Sequence, residues 1–141
     1  MQRWGYKSDD SELIDLARWL RETYGMHRFD IWRDYFLLID PAEESTYRIK
    51  HTLSQGDVEK YIVHRPDIIL TPGNRKIIII EIDGSIHHWK HIKKKTAKRN
   101  GHYTDYKIPH IIIDKMELDG MPVEEAIRIG LEKHGMTPVL A

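Results

Sequence analysis

Arg65 to His91 reads RPDIILTPGNRKIIIIEIDGSIHHWKH, and the fold turns on how this stretch is parsed. Asp67 to Thr71 is short and apolar, and Lys76 to Ile82 is almost continuous isoleucine. Such runs suit strands covered on both faces. Between them Pro72, Gly73 and Asn74 are turn residues. The expected unit is therefore a hairpin. Folding it about the turn brings Asp67 close to Ile80 and Glu81, and a slip of one residue changes the facing but not the neighbourhood. Glu81 and Asp83 are two apart and share a face. Two or three carboxylates thus meet at the end of an apolar hairpin, with His87 and His88 following within a turn.

Carboxylates crowded at a strand end repel one another unless a proton or a cation joins them. Mg²⁺ usually takes one or two protein carboxylates, several waters and substrate phosphate oxygens. Taken singly, a Pro-Asp pair or an acid-x-acid fragment is an ordinary strand boundary. The ordered set is more specific: Pro-Asp, strand, turn, isoleucine strand, Glu-x-Asp-Gly and a His pair.

This set resembles the PD-(D/E)xK nuclease superfamily, and within it the very-short-patch-repair-like branch with its E-x-D-G-x-x-H pattern. Here that pattern is Glu81-Ile82-Asp83-Gly84-Ser85-Ile86-His87, and Asp67 matches the family's metal-binding Asp. The likeness is strongest from Asp67 to Asp114. It implies an α/β fold, with a restriction-endonuclease-like mixed β-sheet flanked by helices. It also implies a metal-dependent endonuclease that hydrolyses phosphodiesters, with DNA as the expected partner. Asp67, Glu81, Asp83 and the Ile82 carbonyl would form the site for Mg²⁺ or Mn²⁺. Asp83 stands where the superfamily carries a Lys, so the general base is open between His87 and His88, with Lys90 as a displaced lysine. The resemblance also allows a homodimer. The same residues admit a second reading, a non-catalytic nucleic-acid-binding protein on a nuclease fold.

Outward from the motif, 141 residues suit one domain, with the catalytic core at 58–114. The absence of cysteine excludes disulfides, thiolate zinc sites and a Cys nucleophile. There is no membrane-length apolar run and no signal-peptide core, so a cytoplasmic location is expected. Residues 10–24 have Leu13, Leu16, Ala17 and Leu20 at helical spacing, capping residues at Ser8 to Asp10 and a stop at Gly25. Glu12 falls in the first turn of this helix. It either complements the helix dipole or, as the resemblance implies, approaches the metal site.

The net charge is zero, but the charges are not evenly spread. On a helix from Ile86 to Tyr106, Trp89, Ile92, Thr96 and Tyr103 share one face. His87, Lys90, His91, Lys94, Lys98 and His102 fall on the opposite face, flanked by Lys93, Lys95 and Arg99. A Lys run is usually just a solvated face. One that begins beside an acidic cluster suits a phosphate backbone, with Lys90, His91, Lys94, Lys98 and Arg99 as contacts.

The remaining segments are less specific. Phe29 to Asp40 reads as a strand or a short helix, Pro41 to Glu44 as a helical turn, Ser54 to Asp57 as a loop and Val58 to Val63 as a short strand. Ile108 to Asp114 is a buried strand entered through Pro109. A last helix spans 121–135, with Ala126, Ile127 and Leu131 inward, before an apolar tail that docks or frays.

Overall fold

A computed structural model describes residues 4–73 and 76–139, so Asn74 of the expected turn lies outside the described residues. In chain order the elements are α1 (Trp4–Tyr24), β1 (Ile31–Trp32), β2 (Phe36–Ile39), β3 (Tyr47–Lys50), α2 (Gln55–Lys60), β4 (Ile62–His64), β5 (Ile68–Leu70), β6 (Ile78–Asp83), α3 (Lys90–Asp105), β7 (His110–Asp114) and α4 (Val123–Lys133). Single 3-10 turns cover Arg28–Asp30, Ser85–His88 and Lys115–Glu117. The class is α/β with a mixed sheet, as expected. No helix among the described residues is long and apolar enough to cross a membrane.

The central sheet has the order β1-β5-β6-β7. β5 and β6 form the expected antiparallel hairpin, in the register Ile68↔Ile80, Ile69↔Ile79 and Leu70↔Ile78. β7 adds parallel to β6, with Asp83 level with Asp114. The isoleucine run is explained by two cores, one on each face. Ile68, Leu70, Ile78 and Ile80 pack with Leu16, Leu20, Ile127 and Leu131 from α1 and α4. Ile69, Ile77 and Ile79 pack with Leu37 and Ile39 from the second sheet, Tyr103 from α3 and Ile108 from the turn after it. Side-chain alternation along β6 therefore turns Glu81 and Asp83 toward α3.

The N-terminal half departs from expectation at several points. α1 begins at Trp4, so Ser8 to Asp10 lie inside the helix and not before its start. Phe29 to Asp40 is neither one strand nor one helix. A 3-10 turn leads into β1, and Asp34 at φ 64° makes a corner into β2, which belongs to another sheet, β3-β2-β4. Ser54 to Asp57 is the start of α2 and not a loop. The Ser54 and Asp57 side chains bond each other's backbone in a capping box, and Lys50 holds Asp57 at 2.6 Å. The expected strand at Val58 to Val63 accordingly shrinks to Ile62–His64. Pro41 to Glu44 is a turn outside any helix. The tail docks, with Met136 in the core and the Val139 N–H donating to the Thr23 carbonyl.

Candidate active site at the end of the central sheet

The register of β5 on β6 places Asp67 beside Glu81, and the two are tied reciprocally. The Asp67 N–H donates to Glu81 Oε1 at 3.1 Å, while the Ile82 N–H donates to Asp67 Oδ2 at 2.7 Å. Glu81 is 3% exposed. Its other oxygen, Oε2, accepts from the Tyr103 hydroxyl at 2.7 Å. Burial pushes the Glu81 carboxyl up to about 7; Arg99 opposes this, the neighbouring Asp67 adds to it, and the Tyr103 hydrogen bond opposes it again. Burial, reinforced by Glu81, pushes the Tyr103 phenol up, so it stays a neutral donor.

Asp83, one pleat further along the same face, has a different partner. Arg99 reaches it bidentately, Nη1 to Oδ1 at 3.2 Å and Nη2 to Oδ2 at 2.7 Å, and its Nε lies 3.6 Å from Glu81 Oε2. Burial works against the guanidinium charge, but the Asp83 hydrogen bonds and the Glu81 charge outweigh it and hold Arg99 protonated. Arg99 is thus the resident cation of the acidic cluster. That corrects its expected place on the outward basic stripe. A helical signal for this exists: Arg99 is three residues after Thr96 and four before Tyr103, on the inward face.

Past Asp83 the chain makes a 3-10 turn over Ser85–His88, and is extended again at Trp89 (φ −68°, ψ 140°) before α3 starts. The expected continuous helix from Ile86 is therefore broken, and Trp89 is 57% exposed instead of facing inward. The two histidines diverge at this corner. His87 Nδ1 is 2.7 Å from Thr96 Oγ1, and its Nε2 is 3.5 Å from Asp83 Oδ1. His88 Nε2 is 2.7 Å from Asp114 Oδ2 on β7. Glu12 is held by Lys115 at 3.1 and 3.3 Å, just past Asp114 and at the same end of the sheet.

On α3, Lys90, His91, Lys93, Lys94, Lys95 and Lys98 are exposed. His102 leaves the expected stripe and turns inward, its Nδ1 2.8 Å from His64 Nε2. Burial, then the nearby His102, pulls His64 down to about 4 and keeps it neutral. Sequence pattern alone gave no role to Tyr103 beyond packing, nor any to His64, Thr96, Asp114 or Lys115.

Asp67 and Glu81 offer hard oxygens from adjacent strands, and a divalent cation satisfies the same electrostatic need as the proton Glu81 retains near neutrality. This pair fits Mg²⁺ or Mn²⁺, which bind through few protein carboxylates. An all-protein cage does not fit: Asp83 is engaged by Arg99, and among the described residues no three His, Asp or Glu side chains are grouped to hold an ion. Two clefts, one lined by Trp19 and Arg128 and one along β7, include neither Asp67 nor Glu81.

No family model, no curated protein and no solved structure matches the chain.

Proposed function

We propose that the chain is a metal-dependent endonuclease acting on DNA, of the PD-(D/E)xK superfamily and its very-short-patch-repair-like branch, with a restriction-endonuclease-like sheet. The observation that carries this reading is the paired Asp67 and Glu81 at the end of one antiparallel hairpin. His87 follows on the same chain, and a lysine-rich helix begins three residues later.

In this reading Asp67 and Glu81 hold Mg²⁺ or Mn²⁺, with the Ile82 carbonyl as a further donor. When bound, the ion would polarise the scissile phosphate and ease deprotonation of water. The chain's own groups do the rest. Thr96 fixes the His87 ring at Nδ1 and leaves Nε2 at the acidic end, where it takes the proton of the attacking water. Asp83 lies 3.5 Å from that nitrogen and favours the imidazolium that results. Arg99 holds Asp83 in place through two hydrogen bonds. Lys90 and Lys94 carry exposed charge to the phosphates on either side of the cut. His88, bonded to Asp114, is the alternative base.

Plasmid, single-stranded, mismatched and branched DNA incubated with Mg²⁺, Mn²⁺ or EDTA test the proposal. Cleavage with either metal, lost in EDTA and in Asp67→Ala and Glu81→Ala, is the expected result. No cleavage of any substrate with either metal would overturn it. One observation favours a second reading, a non-catalytic nucleic-acid-binding protein: the Arg99 guanidinium already lies against both Glu81 and Asp83, where a cation would bind. That reading requires salt-sensitive DNA binding that ignores EDTA.

A further inference from the structure

β7 is the last strand of the central sheet, and no strand pairs with its outer edge among the described residues. Natural edges are usually blunted by charge, proline or a bulge. Here the edge is Ile111-Ile112-Ile113 between His110 and Asp114, with Pro109 standing before the strand. The Pro109 carbonyl accepts from the Ile79 N–H, so Pro109 faces β6. By strand alternation Ile111 and Ile113 do the same, and the backbone groups of His110, Ile112 and Asp114 point outward. The His134 ring, 3.3 Å from the His110 carbonyl, touches one of them. A groove of about 590 Å³ runs along this edge beneath α4. Of the residues lining it, Met121 and Ile129 are 39% and 38% exposed.

We infer that this edge is a homodimer interface in which β7 pairs antiparallel with β7 of a second copy, about a two-fold axis at Ile112. The occupant is argued from self-complementarity. With Ile112 opposite Ile112 of the other copy, each His110 stands opposite an Asp114, and all three pairs have their backbone groups directed at one another. His110, Ile112 and Asp114 share a face, so imidazole and carboxylate become cross-strand neighbours. The groove is polarised in the matching sense. Lys133 and His134 lie at its His110 end and Glu117 at its Asp114 end. A two-fold therefore lays the positive end of one copy on the negative end of the other. α4 sits close on the edge strand, because a Cβ at Gly130 would come within 2.8 Å of Ile111 Cγ2. That closeness lets Ile129 of each copy approach the axis. The result is one continuous eight-stranded sheet.

Sedimentation velocity over a wide concentration range tests this, combined with hydrogen exchange of the Ile112 amide. The expected result is a dimer whose formation protects that amide in a concentration-dependent way. Ile129→Glu should weaken association about tenfold or more, equal to about 1.4 kcal/mol or more, with the thermal transition of the monomer intact. Lys133→Glu and Glu117→Lys should each weaken it, and the double variant should regain it. A chain that stays monomeric at the highest concentration overturns the inference. So does a dimer that leaves the Ile112 amide unprotected, or one indifferent to both Ile129→Glu and the charge exchange.

Discussion

Glu81→Gln isolates the electrostatic cost that the acidic cluster imposes on the metal-free protein. Burial pushes the Glu81 carboxyl up to about 7 in the fold, against 4.5 ordinarily. A gap of about 2.5 units at 1.36 kcal/mol each is worth about 3 kcal/mol. The native state therefore binds more protons than the unfolded chain between those two values, and stability falls as pH rises through that window. Below the lower value both states are protonated and nothing is lost; above the upper value the full cost applies. Gln keeps the shape, accepts from the Asp67 N–H through its one oxygen and turns its amide N–H₂ to the Tyr103 oxygen, but cannot ionise. In urea unfolding at pH about 4.5, wild type and variant should agree within about 1 kcal/mol. At pH about 8 the variant should be more stable by up to about 3 kcal/mol. Adding Mg²⁺ at the higher pH should stabilise the wild type, by about 2.7 kcal/mol at a hundredfold excess over Kd, and leave the variant unmoved. Parallel pH curves for the two proteins would refute the burial argument, and a Mg²⁺ response that persists in the variant would refute the assignment of Glu81 to the cation.

Arg99→Met should destabilise the fold by about 3–5 kcal/mol, because it leaves Asp83 buried without its bidentate guanidinium; Asp83→Asn in the same chain should recover much of that in the same unfolding assay. Lys94→Ala with Lys98→Ala should weaken DNA binding for all sequences alike, and should flatten the log–log salt dependence by roughly one unit for each phosphate no longer neutralised. An unchanged slope would return that face to plain solvation. His87→Ala should slow cleavage by about 10²–10⁴-fold with little loss of DNA affinity, and abolish the acid limb of the pH–rate profile, while His88→Ala keeps the wild-type profile. If both keep it and Lys90→Ala is inactive, the base is Lys90.

The hairpin was legible because an isoleucine run with no alternation has one economical explanation, burial on both faces, and the turn then sets the register. Asp67 beside Glu81 follows from that register alone. The segment at 31–39 was opaque because its two strands enter different sheets through a corner at Asp34, and no periodicity survives a change of sheet. α2 was missed because six residues are too few for a helical repeat, although the Ser54 and Asp57 spacing of its capping box was present. Trp89 was misplaced because the chain is extended there, which breaks the phase carried from Ile86 into α3. Arg99 was misplaced because arginine is rarely buried without a partner, and its partners are 16 and 18 residues away, joined to it only by the fold.

β6 is the common wall of two cores, and that has a kinetic meaning for the acids it carries. Proteins open in sub-global units, and ligand-gripping elements are usually drawn from the least stable of them. β6 has no such freedom, since peeling it away exposes the apolar layers on both sides together. The amides of Ile79 to Ile82 should therefore exchange only through global unfolding, while those of the Ser85–His88 turn exchange by local fraying. The carboxylates would then keep a fixed separation for as long as the protein is folded at all. Adjustment to a substrate would fall to the corner that carries the two histidines.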